Sequence, residues 1–370
     1  MVPPLRRMAA AGAELLRANF ASLKRPLKVN LCITYWCQYR CQTCNIWKRK
    51  PENELTTDEL IAFVENNAET AWLDVTGGEI FLREDIDQVL LAIAQRWDRL
   101  SVLHFPTNGF LTSKIVSVTT RLAQTRRVPI VVTVSLDGHE ALNDRIRGIR
   151  GGYQRQLETF RALRQVRGVK AVLGMTLSSL NIDQIDATLE ACQRDCPGLT
   201  IDDFHVNVAQ RSAHYYGNEQ HDSFEAATDP LRHQVTLYRK RRSWSGAPSD
   251  VVEQVFLRYL DRFLASGRTP MPCHALRSSC FIDPWGTVYP CITYAKPLGS
   301  LRDTAMDLGP IWSSHLTRET QHEIWQGQCP QCWTACEAYQ SILGNALAPW
   351  RWRSPSMPVP LATAPGNQQP

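Results

Sequence analysis

The segment KVNLCITYWCQYRCQTCNIW spans residues 28–47 and joins an apolar segment to a loop with closely spaced thiols. Its first eight residues have the apolar, β-branched composition of a buried strand. Cys37, Cys41 and Cys44 follow that strand in the pattern C-x3-C-x2-C. Cys32 lies inside the strand among apolar neighbours, and we interpret it as a core thiol. Three thiols on one loop suit a soft metal centre, with zinc or an iron–sulfur cluster as the alternatives.

Beyond this loop the chain alternates between segments with strand character and segments with helical character. Six segments have the pattern of strands, namely 28–35, 71–77, 100–109, 129–138, 170–178 and 202–210. Helical segments follow the first five of them, at 56–69, at 83–97, up to about residue 124, at 152–166 and at 184–195. Such alternation predicts an α/β fold whose parallel strands have helices outside them. Six strands without a dinucleotide-binding glycine motif favour an open, partial βα barrel over a closed eight-stranded one.

The composition is that of a globular protein, since 44% of the 370 residues are hydrophobic and 21% are charged. The apolar runs have the length of buried strands rather than of membrane spans, and no secretory signal is convincing. We therefore expect a cytoplasmic protein, in which twelve cysteines are not a disulfide framework. Four cysteines lie within 32–44, Cys192 and Cys196 stand apart, and six lie within 273–336. This clustering favours metal ligation.

A 4Fe–4S cluster with one open iron explains the first group of thiols better than zinc, because a structural zinc ion needs a fourth ligand. The segment CQYRCQTC (37–44) resembles the cluster-binding loop of the radical S-adenosylmethionine (SAM) superfamily. The resemblance implies that the open iron binds SAM. It implies that one electron then cleaves SAM to a 5′-deoxyadenosyl radical, which abstracts a hydrogen atom from the substrate. An external electron donor such as flavodoxin or ferredoxin is implied as well.

Four short motifs at successive strand ends support this resemblance, namely TGGE (76–79), TNG (107–109), SLDG (135–138) and GMTLS (174–178). The SAM-binding residues that they imply are Gly77, Gly78 and Glu79 for the methionine amino group, Asn108, Ser135 in preference to Asp137 for the ribose, and the backbone at Met175 for the adenine. One position departs from the superfamily. The residue before the third cysteine is often aromatic there, but it is Thr43 here, so Ile46 or Trp47 is expected to cover the adenine.

The C-terminal cysteines resemble the auxiliary-cluster domains called twitch and SPASM. Segment 273–291 has the pattern C-x12-G-x4-C with Gly286 in a tight turn, and CPQCWTAC (329–336) supplies three further thiols. The resemblance implies a second 4Fe–4S cluster, for which the first choice of ligands is Cys273, Cys291, Cys329 and Cys332, with Cys280 and Cys336 as alternates or as free thiols near the substrate. A longer cysteine run typical of two-cluster SPASM domains is missing, which favours the one-cluster twitch form. A structural zinc ribbon is the alternative.

The sequence divides into five parts. They are a basic amphipathic helix (1–28), the partial barrel (29–235), a helical linker (236–270), the auxiliary-cluster domain (271–345) and a flexible, proline-rich tail (346–370). Residues 1–30 contain six basic residues and one acidic residue, which accounts for the formal net charge of +5. The remaining chain is neutral, and this excludes a broad nucleic-acid surface. The apolar face of this helix includes Met8, Leu15 and Phe20, and its basic side includes Arg6, Arg7 and Arg17. Residues 5–25 are expected either to pack on the body of the protein or to contact a membrane surface.

Three residues are candidates for catalysis, namely His205, Tyr215 and Cys280. His205 and Tyr215 come at and after the end of the sixth strand, where polar side chains of a barrel often face the substrate. The alternative for His205 is a hydrogen-bonded core position. In the charged segment 142–148, at least two of the residues Asp144, Arg145 and Arg147 are expected on a solvated face.

These features predict a radical SAM oxidoreductase or tailoring enzyme with one SAM-binding cluster and one auxiliary cluster that aids oxidation or bond formation. The basic N-terminal helix mildly favours a small metabolite, sugar or lipid-linked substrate. The alternative is a peptide- or protein-modifying maturase, and a remote alternative is a non-catalytic zinc protein.

Overall fold

The computed structural model describes residues 4–125, 128–220, 224–243 and 248–346. The strands are β1 Lys28–Cys32, β2 Trp72–Thr76, β3 Val102–Thr107, β4 Ile130–Ser135, β5 Val169–Leu177, β6 Phe204–Val208, β7 Ser279–Ile282, β8 Thr287–Tyr289 and β9 Gly299–Ser300. They form one sheet in the order β6-β5-β4-β3-β2-β1-β7-β8-β9. Strands β1 to β6 are parallel to their neighbours, which confirms the predicted partial barrel of six strands.

The described residues form twelve α-helices, and those that follow strands β1 to β5 cover one face of the barrel sheet. The twelve helices are α1 Pro4–Ala18, α2 Thr57–Asn66, α3 Ile86–Arg96, α4 Thr112–Thr125, α5 Glu140–Arg147, α6 Gly152–Arg164, α7 Ile185–Asp195, α8 Thr228–Arg241, α9 Pro248–Ser266, α10 Gly309–Trp312, α11 His315–Trp325 and α12 Ala335–Ala346. Helix α2 begins after Thr56, whose side chain forms a capping box with Glu59. Such a cap satisfies two otherwise unpaired backbone donors, so it fixes where the helix starts.

The two faces of the barrel sheet differ in chemistry because successive strand residues point to opposite sides. Leu31, Leu73 and Val132 belong to the face beneath the helices, where they are fully buried in the main core. Each such side chain stabilises the fold by about 1.5–3 kcal/mol. The opposite, inner face carries polar residues, and the strand register sets Asp74 beside His104 there. The barrel therefore encloses a polar interior.

The C-terminal cysteine-rich segment continues the barrel sheet. Strand β7 pairs in parallel with β1, and the hairpin of β7 and β8 turns at Gly286, whose φ is +85°. Helix α12 closes the space below, where Glu337 accepts hydrogen bonds from Asn30 and Ser279. Lys28 is fully buried at this junction and donates to the Cys336 carbonyl at 2.6 Å. These bonds join the barrel segment to the C-terminal segment. The division of the chain into a barrel (29–235), a linker and a module (271–345) remains a proposal.

Helix α1 ends at Ala18, ten residues before the end of the predicted N-terminal part. Its buried side includes Leu15, as predicted from the apolar face. It also includes Arg7, which was predicted to lie on the basic face; its guanidinium donates to the Leu100 carbonyl at 3.0 Å. Met8 and Phe20, predicted on the packed face, are 50% and 62% exposed. The predicted tail, 346–370, lies outside the described residues except for Ala346.

Candidate active site

Cys37, Cys41 and Cys44 lie on the loop that follows β1, at the carboxyl end of the barrel strands, and all three are half-buried. Burial, with a smaller contribution from the Cys41 thiol, raises the pKa of Cys37 and of Cys44 to about 12. The free thiols are therefore protonated at neutral pH, and a metal centre that binds them would release protons. Cys32 is completely buried in β1, which matches its predicted place as a core thiol.

The TGGE segment lies directly against this loop. Gly78 donates to the Thr34 carbonyl and Glu79 donates to the Trp36 carbonyl, both at 2.8 Å. A Cβ atom at Gly78 would collide with the Trp36 carbonyl and would come within 2.9 Å of the Cys37 Cβ. Glycine is thus required here by close backbone approach, and the segment fixes the position of the first thiol.

Glu79 connects the second motif to the third. Its buried carboxylate accepts hydrogen bonds from the Thr107 hydroxyl at 3.0 Å and from the Asn108 backbone at 2.6 Å. Burial raises its pKa to about 7, although these bonds oppose the rise. The Asn108 side chain contacts Gln38 at 3.1 Å and approaches the Cys37 sulfur at 3.9 Å. Both predicted SAM-binding residues therefore lie beside the thiol loop.

Of the two polar side chains in the SLDG motif, that of Asp137 accepts hydrogen bonds and that of Ser135 forms none with the described residues. The Asp137 carboxylate binds Arg147 at 2.7 Å and the Thr176 backbone at 2.9 Å. Ser135 has no side-chain hydrogen bond to the described residues and shares the inner face with Gly174, its register partner. The Ser135 hydroxyl is thus available to a ligand in the interior, whereas Asp137 is occupied in joining Arg147 to the end of β5.

Arg147 is a residue whose position the sequence analysis missed. The expectation that at least two charged residues of segment 142–148 are solvated is wrong. Only Arg145 is exposed, because Asp144 accepts from the Gly151 and Tyr153 backbones. The Arg147 guanidinium is buried between Asp137 and Cys41, and these two groups raise its pKa despite burial. The helical period of α5 was the available signal, since it turns Arg147 inward.

The loop after β6 supports the thiol loop from the other side. Asn218 donates to the Thr43 carbonyl at 2.9 Å, and Asn45 donates to the Tyr216 carbonyl at 2.9 Å. Tyr215 is buried, and its hydroxyl bonds the Thr76 hydroxyl at 2.7 Å. Tyr215 therefore holds the start of the TGGE segment, which is a supporting contact rather than a position open to substrate.

Trp47 and Met175, the positions predicted to contact the adenine, lie in different parts of the structure. The Trp47 ring is half-buried beside the thiol loop, and its indole donates to the Cys44 carbonyl at 3.0 Å. The Met175 side chain is buried in the core beneath the helices. Only the backbone of Met175 is therefore available to a molecule in the interior.

Four C-terminal thiols form a second group, namely Cys273, Cys291, Cys329 and Cys332, and their mutual repulsion contributes to the raised pKa values of several of them after burial. Hydrogen-bond donors reach these sulfurs. The Thr293 hydroxyl lies 3.2 Å from Cys291, and the Gln331 amide lies 3.4 Å from Cys329. Bonds of this kind tune iron–sulfur centres. Throughout the described ranges, no three His, Cys, Asp or Glu side chains converge on a site for one metal ion.

The two alternate thiols separate in the structure. Cys280 faces the core beneath the helices, since its register partner is the core residue Val29. Burial raises the Cys280 pKa well above its usual value. Cys336 instead packs on the inner side with Tyr216 and Cys44. It therefore lies between the two thiol groups, whereas Cys280 does not reach either of them by the described contacts.

An open cavity of about 570 Å³ lies beside the edge strand β6. Its lining includes the end of β6, the start of α8 and the end of α9, and it reaches Thr293 and Gln331. The cavity therefore leads from the barrel edge to the residues that hydrogen-bond the second thiol group. Both polar and apolar side chains line it, for example Gln210 and Phe263.

Family comparison identifies the class of protein that this fold and these motifs define. The radical SAM superfamily model matches residues 31–192, and the model of an iron–sulfur cluster-binding domain, SPASM, matches residues 273–333. The chain belongs to the radical SAM superfamily and carries an auxiliary-cluster domain of the SPASM/twitch type. 4Fe–4S clusters and SAM are the cofactors of this superfamily. The number of auxiliary clusters stays a prediction.

Three curated relatives are informative. The chain is 23% identical over 318 residues to the antilisterial bacteriocin subtilosin biosynthesis protein AlbA of Bacillus subtilis, covering 83% of this chain and 63% of AlbA. It is 25% identical over 325 residues to the mycofactocin maturase MftC of Mycolicibacterium smegmatis, covering 84% and 76%. It is 29% identical over 201 residues to pre-heme d1 synthase of Dinoroseobacter shibae, covering 53% and 46%. The match spans less than two thirds of AlbA and less than half of the synthase.

Two solved structures share the fold. Streptococcus suis SuiB bound to S-adenosylmethionine aligns with a TM-score of 0.58 at 17% identity, over 86% of this chain and 72% of SuiB. The protein anSMEcpe with bound AdoMet aligns with a TM-score of 0.59 at 13% identity, over 88% and 98%. Among the described residues, no helix is long and apolar enough to cross a membrane.

Proposed function

We propose that this radical SAM enzyme is an oxidoreductase that modifies a peptide. The observation that carries the proposal is the similarity to AlbA and MftC, two proteins named for bacteriocin biosynthesis and maturation, over more than four fifths of the chain. Both SuiB and anSMEcpe also have structures with a bound peptide. The sequence alone favoured a small metabolite, sugar or lipid-linked substrate, and these relatives favour its alternative.

The cysteines divide between two clusters in this proposal. Cys37, Cys41 and Cys44 bind the cluster to which SAM coordinates, because three thiols on one loop leave one iron open. Cys273, Cys291, Cys329 and Cys332 bind the auxiliary cluster. The clusters and SAM supply the radical chemistry when bound. The residues that this proposal assigns to SAM are Gly77, Gly78, Glu79, Asn108 and Ser135. Thr43 and Trp47 contribute from the thiol loop, and the ion pair of Asp137 and Arg147 supports the site.

The cavity beside β6 gives the peptide a route to the interior. Its volume of about 570 Å³ lies in the usual range of ligand sites, which is about 300–1,000 Å³. Apolar side chains such as Leu231 and Phe263 suit an apolar peptide side chain, and Gln210 suits the peptide backbone. The route ends at Thr293 and Gln331, which hydrogen-bond the auxiliary thiols, so a peptide bound there approaches the proposed auxiliary cluster.

Co-expression with short open reading frames that flank the gene tests the peptide proposal. Mass spectrometry of each peptide should reveal one that loses two hydrogens only when the enzyme is present. A variant with Cys37, Cys41 and Cys44 all replaced by alanine is the matched control. If no flanking peptide changes mass while a small-molecule substrate is converted, the peptide proposal is wrong.

A small-molecule substrate is the second candidate function. The highest identity among the three relatives described above is that to pre-heme d1 synthase, although it covers only 53% of this chain. A tetrapyrrole is a large, anionic ring, whereas the cavity has few charges, with Arg211 and Glu225 already paired at 2.6 Å. This neutral lining favours the peptide.

Helix α1 offers a surface for anionic lipid as a further part of the proposal. Arg6, Met8 and Arg17 are exposed on it, and Phe20 is exposed just after its end. Its acidic residue, Glu14, is paired with Arg99. Sedimentation with phosphatidylglycerol vesicles should retain the wild type and release a M8D/F20D variant. An external electron donor such as flavodoxin or ferredoxin completes the set of partners, and the proposed setting is the cytoplasm.

A further inference from the structure

Two histidine–carboxylate pairs lie on the inner face of the barrel. His104 on β3 pairs with Asp74 at 3.3 Å, and its other ring nitrogen bonds the Thr133 hydroxyl at 2.9 Å. His205 on β6 pairs with Glu253 of α9 at 3.1 Å through Nδ1. Its Nε2 has no hydrogen-bond partner among the described residues. The first pair is thus closed, whereas the second presents one unused ring nitrogen.

The hydrogen bonds around His205 define which nitrogen carries its proton. Burial raises the pKa of Glu253, but His205, Tyr339 and Arg242 more than offset this, so its pKa is lowered and the carboxylate is ionised. Tyr339 of α12 donates its hydroxyl to the second carboxylate oxygen at 2.6 Å. An ionised carboxylate only accepts, so Nδ1 of His205 carries a hydrogen toward it. In the neutral imidazole, Nε2 is then a free acceptor.

The position of His205 opens this acceptor to the interior. The strand register places His205 beside Gly174 of β5, which in turn lies beside Ser135 of β4. Gly174 carries no side chain, so nothing from β5 covers the imidazole on that side. The His205 side chain keeps 21% of its surface exposed. The rings of Phe256 in α9 and Tyr339 in α12 pack on the His205 imidazole. These contacts fix the orientation of the imidazole.

We propose that His205 is a catalytic base that takes a proton from the substrate at Nε2, with Glu253 as its positioning residue. This inference rests on the proposed function. When the substrate loses two hydrogens, one would leave as a hydrogen atom to the 5′-deoxyadenosyl radical, the auxiliary cluster would accept one electron, and the remaining proton needs an acceptor. An N–H, O–H or S–H bond of the substrate breaks, the electron pair stays on the substrate atom, and the proton forms a bond to Nε2. The Glu253 carboxylate stabilises the resulting imidazolium, as in histidine–carboxylate pairs of hydrolases.

Among the residues that the structure describes, few charged or titratable groups surround His205. Glu253 on α9 and Tyr339 on α12 contact it directly. Arg242 and Tyr238 of α8 lie behind Glu253 and act on that carboxylate or on each other. Strand β5 contributes no charge at Gly174. The Glu253 carboxylate is therefore the charged group in direct contact with the imidazole.

Chemical modification of the reconstituted full-length enzyme tests the free nitrogen without any substrate. Diethyl pyrocarbonate acylates an accessible, unprotonated imidazole nitrogen, and peptide mapping by mass spectrometry locates the product. His315, which is 79% exposed, is the internal reference. We expect His205 to react at least tenfold faster than His104, whose two nitrogens are both engaged. Equal rates for His205 and His104 would overturn the proposal.

Turnover with a modified peptide from the co-expression experiment tests the base itself. A general base contributes about 10²–10⁴-fold. We therefore expect H205Q to lower the peptide product formed per 5′-deoxyadenosine by about 100-fold or more. E253Q should give a smaller loss and a changed pH profile, and H104Q should leave the ratio unchanged. A wild type that modifies no peptide contradicts the proposed function, whereas a wild-type ratio in H205Q contradicts the role of His205.

Discussion

The two thiol groups differ in how the chain assembles them. The first group comes from eight consecutive residues after one strand, and the second comes from residues 273 to 332, separated by a hairpin and two helices. The loop is fixed by backbone contacts with the TGGE segment. The C-terminal group is arranged around the hairpin of β7 and β8, which joins the barrel sheet through β1. Cysteine spacing indicates both groups, but the second group depends on the fold to bring its distant parts together.

The largest expected effect is on 5′-deoxyadenosine formation, which should depend on the first thiol group more than on the second. Replacing Cys41 by alanine should abolish 5′-deoxyadenosine formation from SAM, because the loop is proposed to bind the cluster to which SAM coordinates. Replacing Cys332 should leave a measurable fraction of that activity in the presence of dithionite, but no modified substrate. Chromatographic assay of 5′-deoxyadenosine distinguishes the two outcomes. Equal loss in both variants would mean that the two sites do not act separately.

Truncation tests whether the second site depends on the sheet. A chain that ends at residue 270 loses β7, so it exposes the edge of β1 and removes the cover of Lys28. We expect no cooperative thermal transition from it by circular dichroism. A chain that ends at residue 346 keeps every described element and should retain the transition. A folded 1–270 fragment would show that the barrel is independent of the module.

The buried ion pair at the junction should have a large effect on stability. Lys28 and Asp74 are 2.9 Å apart and nearly inaccessible, so D74N leaves a buried charge unpaired and should cost about 3–5 kcal/mol in the free energy of unfolding. D87N removes an exposed partner of Arg121 and should cost about 0–1 kcal/mol. Urea denaturation of both variants measures the difference. Similar small costs would contradict a buried, energetically important pair.

The pH dependence of the D74N effect follows from the direction of the pKa shift. Burial raises the pKa of Asp74, but Lys28 and His104 outweigh it and hold that pKa well below its usual range. The stabilisation is therefore complete above the unfolded-state pKa of about 3.9 and is lost as the pH falls through the lower folded-state pKa. The gap between wild type and D74N should be constant from neutral pH to about 4 and should narrow below it. A difference in unfolding free energy that widens at acidic pH would contradict the lowered pKa of Asp74.

Two glycine substitutions give the smallest effects and sharpen the account of the loop. G78A places a Cβ against the Trp36 carbonyl, so it should cost about 1–3 kcal/mol and weaken SAM binding. G12A lies in α1, where nothing is within 4 Å of the added atom, and it should stabilise the protein by about 0.5–1 kcal/mol. Thermal melting and SAM titration read out both variants. A harmless G78A would contradict the close approach of the TGGE segment to the thiol loop.

The parts of this structure that the sequence predicted are those with local signals. Strand and helix periods predicted the barrel, and cysteine spacing predicted the thiol loop. Side chains whose position depends on distant partners were not predictable. Arg7 and Arg147 are charged, so they read as surface residues, yet each is buried against a partner more than nine positions away. The separation of Cys280 from Cys336 likewise follows from which face of β7 and of α12 each residue occupies.

The central claim is that these seven cysteines hold two iron–sulfur clusters. Anaerobic reconstitution followed by iron and sulfide determination tests it most directly, with Mössbauer spectra to define the clusters. The account predicts about eight irons in the wild type and about four in either of two variants, one lacking the thiols of Cys37, Cys41 and Cys44 and the other lacking those of Cys273, Cys291, Cys329 and Cys332. A wild type with about four irons and one zinc ion would contradict the auxiliary cluster, and a wild type without iron would contradict both clusters.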